Sequence, residues 1–196
     1  MRMRPPPSRR ITPSRRQSVA PASRIGIRPL APADVASLVP LFESYMRETY
    51  GAPWHGSAER LHADALGRRC TMSVAAAPDE SLAGFLAWVP SYDLHHCVTG
   101  AEALDLYVIP RWRGRGIALQ LVCAAAAEIA RGGGLYLKGT AVETGSGRRL
   151  YGRFGVCDAA GCIVGGRAFR RLAELAGRPV REMLRGLPER SWNYEA

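Results

Sequence analysis

Long hydrophobic runs are missing from this sequence, and their absence bears first on the class of protein. A helix that crosses a bilayer needs roughly 18 to 20 consecutive apolar residues. The longest apolar stretch, residues 117–127, is shorter than that and contains Gln120. We therefore expect no membrane partner. The 196 residues, 47% hydrophobic and 22% charged, have the composition of one globular domain with a substantial core.

Lysine is nearly absent, and residues 1–24 contain no acidic residue. Lys138 is the only lysine among 27 basic residues, which we interpret as a coding bias toward arginine. Residues 1–24 hold seven arginines, so the rest of the chain has 20 basic and 17 acidic side chains, a net charge of +3 against +10 for the whole. Because the charge is concentrated in one segment without aromatic residues, a nucleic-acid partner is not favoured.

The same segment has five prolines, four serines and almost no large apolar residue. It cannot bury enough surface to offset the entropy of ordering, so we predict a disordered tail over residues 1–24. A transit peptide, an anion-binding arm and a start codon assigned too early stay open as alternatives.

No C-x-x-C spacing occurs, and the number of cysteines is odd. They are Cys70, Cys97, Cys123, Cys157 and Cys162. This pattern predicts reduced thiols in a cytoplasmic protein rather than a disulfide framework. The alternative, a metal held by the last two cysteines with His95 and His96, lacks the spacing of a metal motif, and we predict no metal site.

Strand and helix signals alternate from residue 25 onward. Apolar periodicity predicts helices at 32–50, 58–67, 117–131 and 147–154, and strands at 25–27, 71–77, 82–89, 103–109 and 135–140. The order predicts a mixed α/β (α+β) fold. Its central sheet should be mixed and mostly antiparallel, with flanking helices and one parallel β-α-β crossover. We assign residues 25–176 to this domain and 177–196 to a C-terminal extension that could pack on it.

A glycine-rich loop, Arg111-Trp112-Arg113-Gly114-Arg115-Gly116, joins a predicted strand to the helix at 117–131. Its glycines let the backbone approach a ligand, and the amides of the first helical turn lack intrahelical partners. Because the helix dipole adds positive charge there, a diphosphate is the natural ligand. The third glycine of a dinucleotide fingerprint is missing, since Leu119 stands there, and no G-K-S or G-K-T sequence occurs.

The loop pattern R-x-x-G-x-G resembles the CoA-binding motif of the GCN5-related N-acetyltransferases, the GNAT superfamily. Residues 27–34, 83–86 and 150–156 resemble further GNAT segments in the family's order, so the resemblance covers about residues 25–156. It implies a GNAT-like fold with a β-α-β CoA-binding crossover. It also implies an N-acetyltransferase that moves an acetyl group from acetyl-CoA to a primary amine of a small molecule or protein by direct attack.

The resemblance further implies which residues contact acetyl-CoA. The amide of Val108 would meet the thioester carbonyl, residues 113–118 would offer amides to the pyrophosphate, and Tyr151 would protonate the departing thiolate unless it only packs under the sheet. The implied contacts are Val108, Ile109, Arg111, Arg113, Gly114, Arg115, Gly116, Ile117, Ala118, Thr144 and Tyr151. Two positions depart from the family pattern: Val156 replaces a phenylalanine, and Thr144 replaces an asparagine that often contacts CoA.

A carboxylate within an apolar strand is the candidate base. A free lysine-like amine has a pKa of about 10.4, so a base must remove a proton before the amine attacks. We predict that Asp105 binds and helps deprotonate the amine, with Glu102 in reserve; a structural ion pair or turn cap is the alternative for Asp105. In a regular strand over residues 103–109, Asp105 would lie on one face of the sheet and Leu104, Leu106 and Val108 on the other.

The residues that would bind the amine substrate are harder to predict from the sequence than those that would bind acetyl-CoA. Tyr92-Asp93 ahead of the acidic strand resembles the diamine and polyamine acetyltransferase branch, where Asp93 and Asp105 would bracket a cationic amine; a simple hairpin turn is the alternative. Trp54 is a candidate for the substrate mouth. A non-catalytic acetyl-CoA-binding or sensing module stays open as a second function, and a homodimer is compatible with the sequence.

Overall fold

A central sheet of seven strands organises the described part of the chain, residues 25–66, 69–140, 146–159 and 161–191 of a computed structural model. The strands are β1 (Gly26–Pro29), β2 (Thr71–Ala76), β3 (Leu82–Asp93), β4 (Val98–Val108), β5 (Tyr136–Gly139), β6 (Val156–Cys157) and β7 (Cys162–Gly165). The helices are α1 (Val35–Tyr50), α2 (Ala58–Ala65), α3 (Ile117–Arg131), α4 (Ser146–Tyr151), α5 (Gly166–Glu174) and α6 (Val180–Arg185).

The strands lie in the order β1-β2-β3-β4-β5-β7-β6, and of the pairs in the described residues only β4–β5 is parallel. The predicted mixed, mostly antiparallel sheet is therefore confirmed, with α3 as the β-α-β crossover. One hydrophobic cluster packs α3, α5 and α6 against one face of the sheet. A second cluster packs α1 and α2 against the other face. Each face of the sheet is therefore covered by its own set of helices.

A charged pair holds the corner between β1 and α1. Asp34, in the 3-10 turn Pro32–Asp34, accepts hydrogen bonds from the amide of Ala31 (2.8 Å) and from both terminal nitrogens of Arg28 (2.5 and 2.9 Å). The hydrogen bonds from Arg28 hold the pKa of the Asp34 carboxyl below its usual value. At its other end α1 stops at Gly51, whose φ of +66° lies in the left-handed region that glycine commonly adopts after a helix.

β4 is longer than predicted and contains a bulge. Its pairing with β3 skips one residue between Ala103 and Asp105, so Leu104 is the extra residue, with 46% of its surface exposed. Leu106 and Val108 face the α3 side of the sheet. The predicted alternation that grouped Leu104 with them was wrong, because a bulge resets the two-residue period of a strand.

The cysteine prediction was also wrong for one pair. Cys157 and Cys162 face each other across the β6–β7 ladder and form a disulfide, while Cys70, Cys97 and Cys123 are free thiols. The odd number of cysteines and the lack of a C-x-x-C spacing favoured reduced thiols, but the turn through Gly161 brings Cys157 and Cys162 into register. The pairing leaves no thiolate there for a metal.

The segment after α5 is packed rather than extended. Met183 of α6 has no exposed surface and joins the α3 cluster, and Leu187 packs against the same cluster. The carbonyl of Ser191 accepts a hydrogen bond from the amide of Gly165 in β7 (3.0 Å). Among the described residues, no helix is long and apolar enough to cross a membrane. Nor does that part of the chain bring together three His, Cys, Asp or Glu side chains that could hold a metal ion.

Candidate active site

The sheet opens between β4 and β5. The two strands pair only from Ala101 to Ala103 on β4, opposite Leu137 to Gly139 on β5. On the other side of β4, the amide of Ile109 donates to the carbonyl of Ala83 (3.0 Å). Backbone groups of an antiparallel strand alternate in direction, so the amide of Val108 points away from β3, toward the β4–β5 opening. The predicted oxyanion donor therefore faces a gap in the sheet.

The glycine loop closes one end of this opening. Gly114 and Gly116 have φ angles of +72° and +79°, a region that residues with a side chain rarely adopt. Gly116 is the N-cap of α3 and supplies no side-chain acceptor to the first turn. The amides of Ile117 and Ala118 are consequently oriented along the positive end of the helix dipole, as an anionic diphosphate requires.

The three loop arginines differ in their surroundings. Arg111 and Arg115 are exposed, and the Arg115 guanidinium lies 4.7 Å from the centre of the Trp112 ring. Arg111 is near enough to the β2–β3 turn to contribute, after the hydrogen bonds from Ser81, to the lowered pKa of the Asp79 carboxyl. Both can move to meet a phosphate. Arg113 is engaged elsewhere.

Arg113 ties the loop to α1. Its guanidinium binds both carboxylate oxygens of Glu48 (2.6 and 2.8 Å), and its Nε donates to the carbonyl of Val108 (2.7 Å). The hydroxyl of Tyr107 donates to Glu48 (3.1 Å), and Arg113 stacks over the Tyr107 ring at 5.4 Å. The hydrogen bonds from Arg113 lower the pKa of the Glu48 carboxyl. Arg113 thus holds Val108 in position, and its charge faces α1 rather than the first turn of α3.

Tyr151 lies at the end of α4, beneath the opening. It lines a small cavity with Ala103 of β4, Gly139 of β5 and Val122 of α3. Its ring meets Phe154 edge to face, with 6.3 Å between ring centres. Although part of its surface is still open, burial raises the pKa of its phenol to about 12. The hydroxyl therefore keeps its proton at neutral pH, as a general acid must.

The bulge brings the two candidate carboxylates to one face of the sheet. Glu102 and Asp105 are three residues apart and would face opposite sides of a regular strand, but the extra residue between them restores a common direction. Asp105 accepts a short hydrogen bond from the hydroxyl of Tyr45 on α1. Glu102 forms an ion pair with Lys138 of β5 (3.3 Å). Asp105 has no arginine partner among the described residues, so the alternative of a structural ion pair is not supported.

Tyr92 and Asp93 lie far from Asp105. Asp93 accepts hydrogen bonds from the amides of His95 (2.8 Å) and His96 (3.3 Å) and thereby stabilises the β3–β4 turn. The β3 partner of Asp105 is six residues before Asp93, which corresponds to about 20 Å along the strand. The predicted pair of aspartates cannot hold one ammonium group, and the hairpin-turn alternative describes Tyr92-Asp93 better.

Trp54 packs on α1, and Thr144 lies outside the described residues. The Trp54 indole stacks on Phe42 with 5.2 Å between ring centres and an interplanar angle of 17°. Tyr45 and Glu48 were not predicted as site residues, because the periodicity of residues 32–50 indicates only a helix with an apolar face. Their three-residue spacing on α1 places both on the face toward β4, a signal that was available.

Comparison with known proteins decides the family. Residues 38–156 match the profile of the Acetyltransferase (GNAT) family. This chain belongs to that family. It is an acyltransferase that uses acetyl-CoA as co-substrate, and the amides around the β4–β5 opening suit that ligand. Among curated proteins, none matches the chain.

Solved GNAT structures share its fold. The ribosomal-protein-alanine N-acetyltransferase of Brucella melitensis biovar Abortus 2308 is 21% identical, with a TM-score of 0.60, over 69% of this chain and 94% of that one. The Escherichia coli GNAT N-acetyltransferase YhbS, in complex with CoA, is 20% identical, with a TM-score of 0.54, over 89% and 92%. The aminoglycoside acetyltransferase meta-AAC0020 from an uncultured soil metagenomic sample, in complex with sisomicin, is 20% identical, with a TM-score of 0.55, over 65% and 84%.

Proposed function

We propose that this GNAT enzyme acetylates a primary amine that Asp105 binds on the α1 side of the β4–β5 opening. The observation that carries the proposal is the position of Asp105 on β4. Its carboxylate lies on the α1 face, where the hydroxyl of Tyr45 donates to it, while the amide of Val108, three residues later, points into the opening. An amine held by Asp105 can therefore reach a thioester carbonyl hydrogen-bonded to Val108.

The reaction proceeds by direct attack. The ammonium group loses a proton to Asp105, directly or through water, because only the free amine has the electron pair that forms the new C–N bond. The amide of Val108 stabilises the negative charge on the carbonyl oxygen. The attacking nitrogen then gives up its second proton to water. Collapse breaks the C–S bond, the CoA thiolate takes a proton from the hydroxyl of Tyr151, and water returns a proton to the Tyr151 phenolate. Tyr151 approaches from the α3 side, so acid and base act from opposite faces of the sheet.

Asp105 is favoured over Glu102 as the base. The Glu102 carboxylate already pairs with Lys138, so an incoming ammonium group would have to compete with the lysine for it. The partner of Asp105 is a neutral phenol, Tyr45, whose pKa is raised by burial and by its hydrogen bond to Asp105. Tyr45 fixes the direction of the carboxylate without supplying a cation that would compete with the ammonium group.

The acceptor is a primary amine on a small molecule or a protein. Proteins of this fold include one named for a ribosomal-protein alanine and one named for aminoglycosides, so the fold itself does not discriminate between the two classes. A panel should therefore contain diamines, aminoglycosides and peptides with free N-terminal amines, with CoA thiol release as the readout.

The test compares Asp105→Asn with Glu174→Gln, a surface carboxylate of α5 paired with Arg171 at 2.9 Å. We expect Asp105→Asn to lower kcat/KM for the best amine about 10²-fold and to leave the Kd for CoA unchanged. Glu174→Gln should behave as wild type. A native rate for Asp105→Asn would reject its role. Tight CoA binding without acetylation of any amine would favour the non-catalytic module.

A further inference from the structure

The C-terminal helix touches the CoA loop. A Cβ placed on Gly116 would overlap one γ-methyl of Val180 and would lie 2.9 Å from the other and 3.2 Å from the Val180 Cβ. The Val180 side chain therefore rests directly on the Gly116 backbone. Gly116 is the N-cap of α3, where the pyrophosphate of acetyl-CoA is expected, so residues outside the family-matched segment 38–156 reach the cofactor loop.

We propose that Val180 is a positioning residue for acetyl-CoA. A glycine with φ of +79° has a broad choice of alternative backbone conformations, and fixing one of them costs conformational entropy. Val180 fills the space beside Gly116 and restricts that choice before the ligand arrives. The amides of the first turn of α3 are thereby held in the direction that the pyrophosphate needs, and binding costs less entropy.

The support for Val180 is itself rigid. Met183, one turn later, is fully buried in the cluster that contains Ile117, the first residue of α3. The carbonyl of Pro179 accepts hydrogen bonds from Glu182 and Met183, and Gly186 at the end of α6 accepts one from Nε of Arg171 on α5 (3.1 Å). Because α6 is anchored in this way, the Val180 side chain has a fixed position and can restrict the backbone of Gly116.

The inference rests on acetyl-CoA binding by the loop and is tested with Val180→Ala. Its matched control is Val74→Ala in β2, which removes the same atoms from a fully buried site in the other hydrophobic cluster. Val180→Ile, which keeps a branched side chain at this position, is the conservative rescue. The measurements are the Kd for CoA by titration calorimetry, KM for each substrate, kcat and Tm.

We expect Val180→Ala to raise the Kd for CoA and the KM for acetyl-CoA about five- to tenfold, with kcat and the amine KM unchanged. Val180→Ile should bind CoA within twofold of wild type. Val74→Ala should lower Tm at least as much as Val180→Ala and leave CoA binding unchanged. Native CoA affinity of Val180→Ala, or an equal loss in Val74→Ala, would overturn the proposal. A wild-type protein that fails to bind CoA would instead contradict the placement of the cofactor itself.

The same contact makes Gly116 a poor site for testing the cofactor. Any side chain there collides with Val180 and strains the backbone, so a loss of CoA binding in Gly116→Val would not report on the pyrophosphate. Val180 is the informative position.

Discussion

At the scale of single residues, Tyr151 offers the sharpest separation between chemistry and packing. Its hydroxyl has a pKa raised to about 12, and its ring contacts Phe154. Replacing Tyr151 with phenylalanine keeps the ring and removes the proton donor. We expect turnover at saturating acetyl-CoA to fall about 10²-fold, the usual cost of losing a general acid, with Tm and CoA affinity almost unchanged.

Tyr136→Phe is the matched control, since Tyr136 is a buried tyrosine at the start of β5, next to Gly100 and away from the opening. It should keep a native kcat. A native kcat in Tyr151→Phe as well, measured with a good amine, would mean that Tyr151 only packs. In the wild type we expect no loss of rate from Tyr151 deprotonation between pH 8 and 10, because the folded pKa lies above that range.

Local backbone geometry could be predicted from the sequence. The positive φ angles of Gly114 and Gly116 belong to this group, because a strand followed by a glycine loop and a helix requires them, whereas the contacts of these glycines and of Val108 with CoA stay predictions. The orientation of Arg113 could not be predicted, because its partner Glu48 is 65 residues away in sequence. From the sequence alone, an arginine in a loop beside a predicted phosphate site is expected to bind the phosphate. Only the structure shows that the carboxylate of Glu48 on α1 pairs with Arg113.

At the scale of elements, the corner between β1 and α1 depends on a charged pair that pH can break. Asp34 is nearly buried and its pKa is lowered by hydrogen bonds from Arg28. Asp34→Asn should destabilise the protein by about 2 kcal/mol at pH 7, since Arg28 loses its charged partner. A lowered folded pKa gives stability that is present above the unfolded value and is lost as pH falls through the folded value.

The stability difference between wild type and Asp34→Asn should therefore shrink as pH falls below about 3.8, the unfolded pKa. Urea unfolding at pH 7, 5 and 3 measures it. As a control, Asp64→Asn removes an exposed carboxylate that is 3.4 Å from Arg69, and it should change stability by less than about 0.5 kcal/mol at each pH. A pH-independent cost of Asp34→Asn would show that the negative charge of Asp34 is not what stabilises the corner.

Elements defined by local sequence were predictable, and features set by strand register were not. α3 runs from Ile117 to Arg131 as the alanine-rich periodicity predicts, and Gly132 follows it. The bulge at Leu104 and the disulfide between Cys157 and Cys162 both depend on which residues face each other across two strands. A one-residue shift in register changes every such pair, and composition carries little information about it.

At the scale of the whole molecule, the order of elements predicted the mixed, mostly antiparallel character of the sheet. One parallel pair, β4–β5, follows from the helix between those strands, and the hairpin turn predicts the antiparallel pair β2–β3. The strands β6 and β7, which complete the sheet beyond β5, were not predicted from the sequence. The domain limits at 25 and 176 stay predictions. The packing of α6 makes the C-terminal limit the more informative one to test, because Met183 and Leu187 lie beyond it and contact the cluster around α3.

Two truncations test how the ends of the chain contribute to the fold. Removal of residues 1–23 takes away six arginines and almost no apolar surface, so we expect Tm and turnover to stay within error of the full chain. Removal of residues 177–196 uncovers the surface that Met183 and Leu187 bury, at a cost of about 3 kcal/mol, which corresponds to a fall in Tm of about 10 °C in a domain of this size. Thermal unfolding and acetylation rates of the two proteins, compared with the full chain, provide the measurement.

The shorter truncation after Ser191 is the control, because it keeps α6 and the hydrogen bond from Gly165 and should retain the native Tm. An unchanged Tm after loss of residues 177–196 would mean that α6 is dispensable for the core. A large fall in Tm after loss of residues 1–23 would mean that the arginine-rich segment has a structural role that its composition does not predict.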